Sequence, residues 1–436
     1  MSADWSSMKI SDVAYYRNNK RVPLKSLDRA KRQGIYPYYG ASGVVDYIDD
    51  YIFNGTYLLI SEDGENLRSR KTPLAFKAHG KFWVNNHAHI LEEKEEGILD
   101  YLEYYFSQLD LTPYITGAVQ PKLNKANLDA IEIPVPPLEE RRAINGTLNS
   151  LTYKIELNHQ INQTLEQMAQ AIFKSWFVDF EPVKAKIAAL EAGGSEEDAL
   201  LAAMQAISGK GEAELTRLQA EQPEQYAELR ATAELLPSAM QDSELGEIPE
   251  GWESAALSEL FELHRGFDLP QKNRGEGPYE VYAAGGLHGT HSQYKMEPPG
   301  IITGRSGVIG NVYLSLKNYW PLNTTLYVRQ FRSCGPYYAY HLLRTLDLKS
   351  LNSGSAVPSL NRNFVHSIAV LNPGSAVLNK FERFSSSLFE QMVHNIDQSE
   401  LLSTLRDTLL PKLLSGELSI SNAEDQLAEE AEPANV

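Results

Sequence analysis

Tyr101 to Asn124 reads YLEYYFSQLDLTPYITGAVQPKLN, and 237 positions later Tyr338 to Asn361 reads YAYHLLRTLDLKSLNSGSAVPSLN, with no gap between the two. Leu-Asp-Leu recurs at Leu109 to Leu111 and Leu346 to Leu348, and Gly117, Pro121, Leu123 and Asn124 recur as Gly354, Pro358, Leu360 and Asn361. The same shift carries Phe82, Trp83 and Asn86 onto Tyr319, Trp320 and Asn323. Upstream it drifts to between 243 and 247: Tyr39 to Gly43 (YGASG) faces Tyr282 to Gly286 (YAAGG), and Trp5 faces Trp252. Loops absorb such insertions. The chain is one unit used twice, and this decides the reading of everything else.

Each unit joins a globular stretch to a helix. Residues 1–137 and 251–373 are rich in Tyr, Gly and Asn, with short apolar runs such as TYLLI and GIIT between glycine turns, the pattern of strands. Helices open after Pro136-Pro137 and after Pro373-Gly374. Ile144, Leu148, Leu151 and Ile155 alternate four and three apart, a coiled-coil seam, and Phe381, Ser385, Leu388 and Met392 repeat it with Ser385 as a weak point. Asn158 and Asn395 fall next in phase, either as polar seam residues that set register or as residues facing water. Leu165, Met168 and Ile172, matched by Leu402, Leu405 and Leu409, continue the seam after a phase slip.

Two matching helices bury their seams most simply against each other. Antiparallel packing needs no long return crossing, although the connector is long enough to permit a parallel one. The expected fold is α+β: two repeated mixed α/β domains inverted about an antiparallel two-helix coiled coil, with a pseudo-twofold near Asn158 and Asn395. The expected domains are 1–137, a helix at 138–182, an acidic helical connector at 183–250, a second domain at 251–373, a second helix at 374–418 and an acidic disordered tail at 419–436.

With 436 residues, 42% of them hydrophobic, the chain can build two or three cores. Its net charge of -17 is local: Glu181 to Glu250 holds 15 acids and 5 bases, and Glu417 to Val436 holds 6 acids and no base. Residues 251–373 carry 11 bases and 8 acids, so overall acidity does not exclude a nucleic-acid partner. The single cysteine, Cys334, and an N-terminus without an apolar signal stretch suit a cytoplasmic protein, and no apolar run is long enough to span a membrane.

Two like modules inverted at a fixed separation suit a partner with its own dyad, and duplex DNA is the commonest. Arg, Lys, Asn and Tyr are the side chains that reach base edges and phosphates. The first domain offers Arg17, Lys20, Arg21, Tyr36, Tyr38, Arg68, Arg70 and Lys71; the second offers Arg265, Lys272, Asn273, Arg274, Arg305 and Asn311. A charge run is more often a solvated face, and that is the alternative for each of them. Trp83 and Trp320 read as core, and Gly117 and Gly354 as turn residues.

Catalytic and metal signatures are missing. No phosphate loop and no Asp/Asn-Pro-Pro-Tyr/Phe methyltransferase run occurs. His87 and His89, or His288 and His291, lack further ligands at metal spacing, and Glu62, Asp63 and Glu65 read as a surface turn. The connector reads as exposed helices without evident chemistry.

AIFKSWFVDFEPVKAK (Ala171 to Lys186) followed by DSELGEIPEGWE (Asp242 to Glu253) resembles the central conserved region of the specificity (S) subunit of type I restriction-modification enzymes. LRDTLLPKLLSGEL (Leu405 to Leu418) resembles that family's C-terminal conserved region, and IPVPPLEERRAI (Ile133 to Ile144) the start of its first conserved helix, with Arg141 where the family often has Gln. The resemblance implies two target-recognition domains, each reading half of a bipartite double-stranded DNA site, and an antiparallel helix pair that sets the gap. It implies a non-catalytic chain that binds no cofactor itself. Two modification (methyltransferase) subunits would hold S-adenosylmethionine and methylate adenine, and motor-nuclease subunits would use ATP and Mg. Ile172, Phe173, Trp176, Phe177, Leu409, Leu410, Leu413 and Leu414 are candidates for docking those subunits, the other possibility being that all are rod core. A scaffold presenting two non-DNA ligand-binding modules on a helical stalk would explain the repeat but not these motifs.

Overall fold

The computed structural model describes residues 5–117, 119–354 and 356–418; the acidic tail expected at 419–436 lies outside the described residues. The chain divides into two compact units, Met1–Leu157 with Gln398–Val436, and Asn158–Asp397.

In the first unit the short strands Ser6–Lys9 and Glu132–Val135 pair antiparallel where the chain enters and leaves the domain. Between them lies a six-stranded sheet in the order Ala14–Tyr16, Ala88–Glu93, Phe53–Ser61, Ala75–Val84, Gln33–Gly40, Gly43–Ile48. Its one parallel pairing places Tyr38 opposite Trp83. Helix Ile98–Gln108 buries Ile98, Leu99, Tyr101, Leu102 and Phe106, an amphipathic spacing, against Leu58, Ile60 and Leu91 of the sheet. Tyr101 Oη donates to the carbonyl of Pro134 at 2.5 Å, tying that helix to the closing strand.

The second unit repeats this order. Phe261–Arg265, Thr325–Phe331, Gly300–Gly304 and Val312–Ser315 form one sheet, and Tyr319–Pro321, Tyr279–Ala283 and Gly286–His291 another. Shifted by 237, the long strand Ala75–Val84 falls on residues 312–321, which here form two short strands with a break between them. The single sheet of the first domain is thereby split. Registers are nevertheless kept: Val281 faces Trp320 as Tyr38 faces Trp83. Tyr338 Oη donates to Leu371 O at 2.8 Å, the counterpart of the Tyr101 bond. Trp83 and Trp320 are both buried, as their strand context predicts.

The long helices are Leu138–Phe177 and Ser375–Leu414, 40 residues each, or about 60 Å at the usual ~1.5 Å rise. Each contributes one half to each unit. In the second unit Asn158 Nδ2 donates to Asn395 O at 3.3 Å and Asn162 Nδ2 to Met392 O at 3.2 Å, so the partner number falls as the residue number rises. The pairing is antiparallel. Asn395 Nδ2 also donates to Asn162 Oδ1 at 2.8 Å, and Asn158 and Asn395 are both buried, which places them on the seam rather than in water. In the first unit Ile144 and Leu148, early in the first helix, share a core with Leu410, Leu413 and Leu414, late in the second, in the same antiparallel sense.

Three expectations need correction. Met168 and Leu405 do not continue the seam: they are 44% and 45% exposed, and Ala169 turns inward instead. Of the eight proposed docking positions, Phe173, Trp176 and Phe177 are buried in the second unit's core and Leu410, Leu413 and Leu414 in the first unit's, with Ile172 and Leu409 half-buried against them. Burying a large apolar side chain stabilises by about 1.5–3 kcal/mol, so these residues hold the end of each long helix to the domain of the other repeat and are not a free docking face. The connector is not merely exposed: helices Glu196–Ser208, Glu212–Glu221 and Pro223–Leu235 enclose a small core of Ala203, Met204, Leu215 and Ala233, and helix Glu181–Glu191 adds Val183 to the second unit's main core.

Candidate nucleic-acid interface

The repeat builds the same backbone frame in each domain. Thr116 N donates to Lys122 O, and Ser353 N to Ser359 O, both at 2.8 Å. Leu123 N donates to Glu62 O, and Leu360 N to Arg305 O, again both at 2.8 Å. Gly64 N reaches Pro121 O at 3.1 Å, and Gly307 N reaches Pro358 O at 2.9 Å. Gly117 (φ +88°) and Gly354 sit in the turns of this frame, where an added Cβ would lie 2.2 Å from Gln120 O and 2.0 Å from Val357 O. Only glycine fits.

In the second domain the frame borders a cleft of about 530 Å³ whose polar wall includes His264, Arg265, Arg305, Ser353, Asn361 and Arg362. Arg305 is half-buried, and its Nη1 donates to Asn323 O at 3.3 Å. Arg265 is exposed and reaches Asp268 at 3.2 Å; Arg362 is exposed. His264, Asn361 and Arg362 were missed from sequence, because they are separated by about a hundred positions and meet only through the fold. The mark they carry is the repeated Asn124/Asn361, whose side chains accept from Asn127 N and Asn363 N at 2.9 and 3.0 Å.

In the first domain Arg21 is committed internally. Its Nη1 donates to Glu62 Oε2 at 2.5 Å, to Ala88 O at 2.8 Å and to Asn86 O at 3.3 Å. Glu62 is no surface turn residue: its side chain is 13% exposed and also faces Lys122 at 3.5 Å. Burial pushes its carboxyl pKa up, but the Arg21 hydrogen bond, with His89 and Lys122, holds it below the usual value. His89 is buried, bonded to Asn18 at 2.9 Å and Leu123 O at 2.7 Å, and burial pushes its pKa down. These are structural roles. Among the described residues no group of three or more His, Cys, Asp or Glu could hold a metal ion, and no helix is long and apolar enough to cross a membrane.

The other candidates separate by exposure. Arg17 pairs with Glu92 and lies 5.0 Å over the Tyr15 ring. Lys20, Lys71, Lys272 and Asn273 are exposed, as is Asn311, whose Nδ2 donates to Tyr313 Oη at 3.1 Å. Arg68 reaches Gly117 O at 2.8 Å, and Arg70 reaches Leu109 O, both from exposed positions. Tyr36 is half-buried against Tyr51, with ring centroids 5.1 Å apart. Arg274 is half-buried and donates to His288 O at 3.3 Å. Tyr38 is buried, its hydroxyl accepting from Leu24 N at 2.9 Å, so it cannot touch a ligand without repacking and leaves the candidate surface.

The family model described as type I restriction modification DNA specificity domain matches residues 2–167 and 249–373. Among named relatives, the type I restriction enzyme HindI specificity subunit of Haemophilus influenzae is 35% identical over 332 residues, covering 68% of this chain and 71% of its own. The type I restriction enzyme MjaIX specificity subunit of Methanocaldococcus jannaschii is 23% identical, covering 96% and 94%. The crystal structure of a type I restriction-modification S subunit from M. genitalium shares the fold, with a TM-score of 0.54 at 16% identity over 94% of this chain and 96% of that one.

Proposed function

The chain belongs to the family of type I restriction-modification DNA specificity subunits, and we propose that its two repeated domains, residues 1–137 and 251–373, each read one half of a bipartite double-stranded DNA target. The observation that carries this is the shared backbone frame with different side chains around it: Glu62 and Arg305 offer equivalent carbonyls while presenting opposite charges. One scaffold with unlike side chains is what reading two different sequences requires. Lys20, Tyr36, Arg68, Lys71, Arg265, Lys272, Asn273, Arg305 and Asn311 are the contacts assigned to DNA.

The long helices Leu138–Phe177 and Ser375–Leu414 act as the ruler. Asn158, Asn162 and Asn395 pin their register, since sliding one helix would break the bonds of two buried amides and a half-buried one. Spacer length would therefore follow from helix length and the half-sites from the domains. The chain breaks no bond itself. It recruits two modification subunits, which carry S-adenosylmethionine, and motor-nuclease subunits that use ATP and Mg. Outward-facing Met168 and Leu405, 237 apart, replace the buried set as docking positions.

Methylome sequencing of a host carrying this chain with its modification subunit tests the reading. A bipartite methylated-adenine motif is expected, and exchanging residues 251–373 for another such domain should alter one half only. A change in both halves, or no sequence-restricted methylation, would overturn it.

A further inference from the structure

The two domains treat one half-buried spot in opposite ways. In both, a guanidinium Nη1 donates at 3.3 Å to an equivalent carbonyl, Asn86 O in the first and Asn323 O in the second. The arginines that supply it come from different places. Arg21 lies two residues before Pro23, where the second domain has Asp268 before Pro270; Arg305 stands where the first domain has Glu62. The pair has been reversed in sign while the cation has stayed in place.

The reversal leaves the second spot open. In the first domain the Glu62 carboxylate lies inside, bonded to Arg21 at 2.5 Å and shielded from solvent. In the second, Asp268 is 66% exposed at the rim and is taken up by Arg265 and Asn323. Arg305 has no carboxylate partner among the described residues, nor has Arg362 on the same cleft wall. A half-buried guanidinium fixed by a carbonyl, with a second arginine beside it and room in front, lacks the anion that its twin already has.

We propose that this cleft is a phosphate seat: Arg305 and Arg362 together receive one backbone phosphate of the duplex, in the place that Glu62 fills in the first domain. This rests on the DNA-recognition reading above and deepens it. A tetrahedral oxyanion matches the chemistry of the missing partner, since both arginines donate N–H groups in forks suited to it. The first domain, closed by its own carboxylate, makes no such contact. The second half-site therefore contributes more of the salt-sensitive, sequence-independent affinity.

The test uses the full chain assembled with its modification subunits and two duplexes, one carrying the methylated motif and one scrambled. Affinity is measured as KCl is varied from about 50 to 200 mM, where each phosphate contact contributes about 0.9 to the logarithmic salt slope. Arg305→Gln and, separately, the exposed Arg362→Gln should each lower the slope and weaken both duplexes alike, and the two together should lower it by about that amount, the share of the single phosphate they hold. The charge-neutral double variant Arg21→Gln/Glu62→Gln in the first domain should leave the slope unchanged. If Arg305→Gln does not melt as the parent does, Arg362→Gln decides. Unchanged slopes for the second-domain variants, or weakening confined to the motif duplex with relaxed preference at one base, would overturn the phosphate assignment. If the unsubstituted complex prefers no duplex, the recognition reading itself fails, a separate result.

Discussion

Replacing His341 with Phe should change how the second unit responds to acid. His341 is 2% exposed on helix Pro336–Thr345, with its ring against Phe173, Phe381 and Phe389 and no hydrogen-bond partner for Nε2. Burial, helped by the charge of Arg344, pushes its pKa down to about 3. The unfolded chain takes up a proton below its ordinary value of 6.5 and the fold does not, so stability present above that pH is lost at about 1.4 kcal/mol per pH unit on acidification. Between about pH 7 and pH 5 this amounts to about 2 kcal/mol. Glu382, on the second long helix, works the other way. It accepts the N–H groups of Tyr337 and Tyr338 at 3.2 and 2.7 Å, yet burial pushes its carboxyl up to about 7 from 4.5. Its contribution is full below the unfolded value and is lost as pH rises through the folded one, a gain of about 2 kcal/mol over the same acidification. In the parent chain the two nearly cancel. Urea unfolding near pH 7 and pH 5 separates them: His341→Phe should become more stable on acidification relative to the parent, and Glu382→Gln less stable, each by about 2 kcal/mol. If His341→Phe shows the parent's pH difference, the buried neutral imidazole is not what the geometry implies.

Arg21→Ala should destabilise the first unit by about 3–5 kcal/mol, because it leaves Glu62 half-buried without its guanidinium, and Arg21→Ala/Glu62→Ala should cost less than the sum of the singles; a double-mutant cycle in urea measures this. Tyr101→Phe and Tyr338→Phe each remove one bond to the closing strand and should cost about 1 kcal/mol apiece, with similar values because the contacts are repeats. Asn395→Leu leaves Asn162 Oδ1 short of a donor on the seam and should cost about 1–3 kcal/mol, with faster amide exchange along residues 158–162. Gly117→Ala should perturb the first domain's frame and not the second's, visible as lost exchange protection at Leu123.

Much of the fold was legible because it is periodic or repeated. The ungapped shift of 237 predicted paired domains, and the structure returns it in matching registers and in the Tyr101 and Tyr338 bonds. The seam residues Ile144, Leu148, Asn158 and Asn395 could be read from their spacing because a helix maps sequence distance onto a face. Past the slip that mapping loses its phase, which is why Met168 and Leu405 were placed inside and Ala169 was not. The aromatic and leucine clusters at the helix ends looked like a docking face because composition cannot tell a surface that meets another chain from one that meets its own domain.

The candidate site was less legible. Tyr38 sits among exposed-looking aromatics, but strand alternation and the parallel partner Trp83 turn it inward. Arg21 and Arg305 look alike as basic residues in irregular segments. One is closed by Glu62, 41 positions away, and the other faces an open cleft with Arg362, 57 positions on. Helices, duplication and the lack of catalytic motifs follow from local order along the chain, so the sequence alone determined them. Which charges are already satisfied depends on side chains brought together from distant positions at a few ångströms, where Coulomb energies change steeply with distance and burial, and only the tertiary structure decides that.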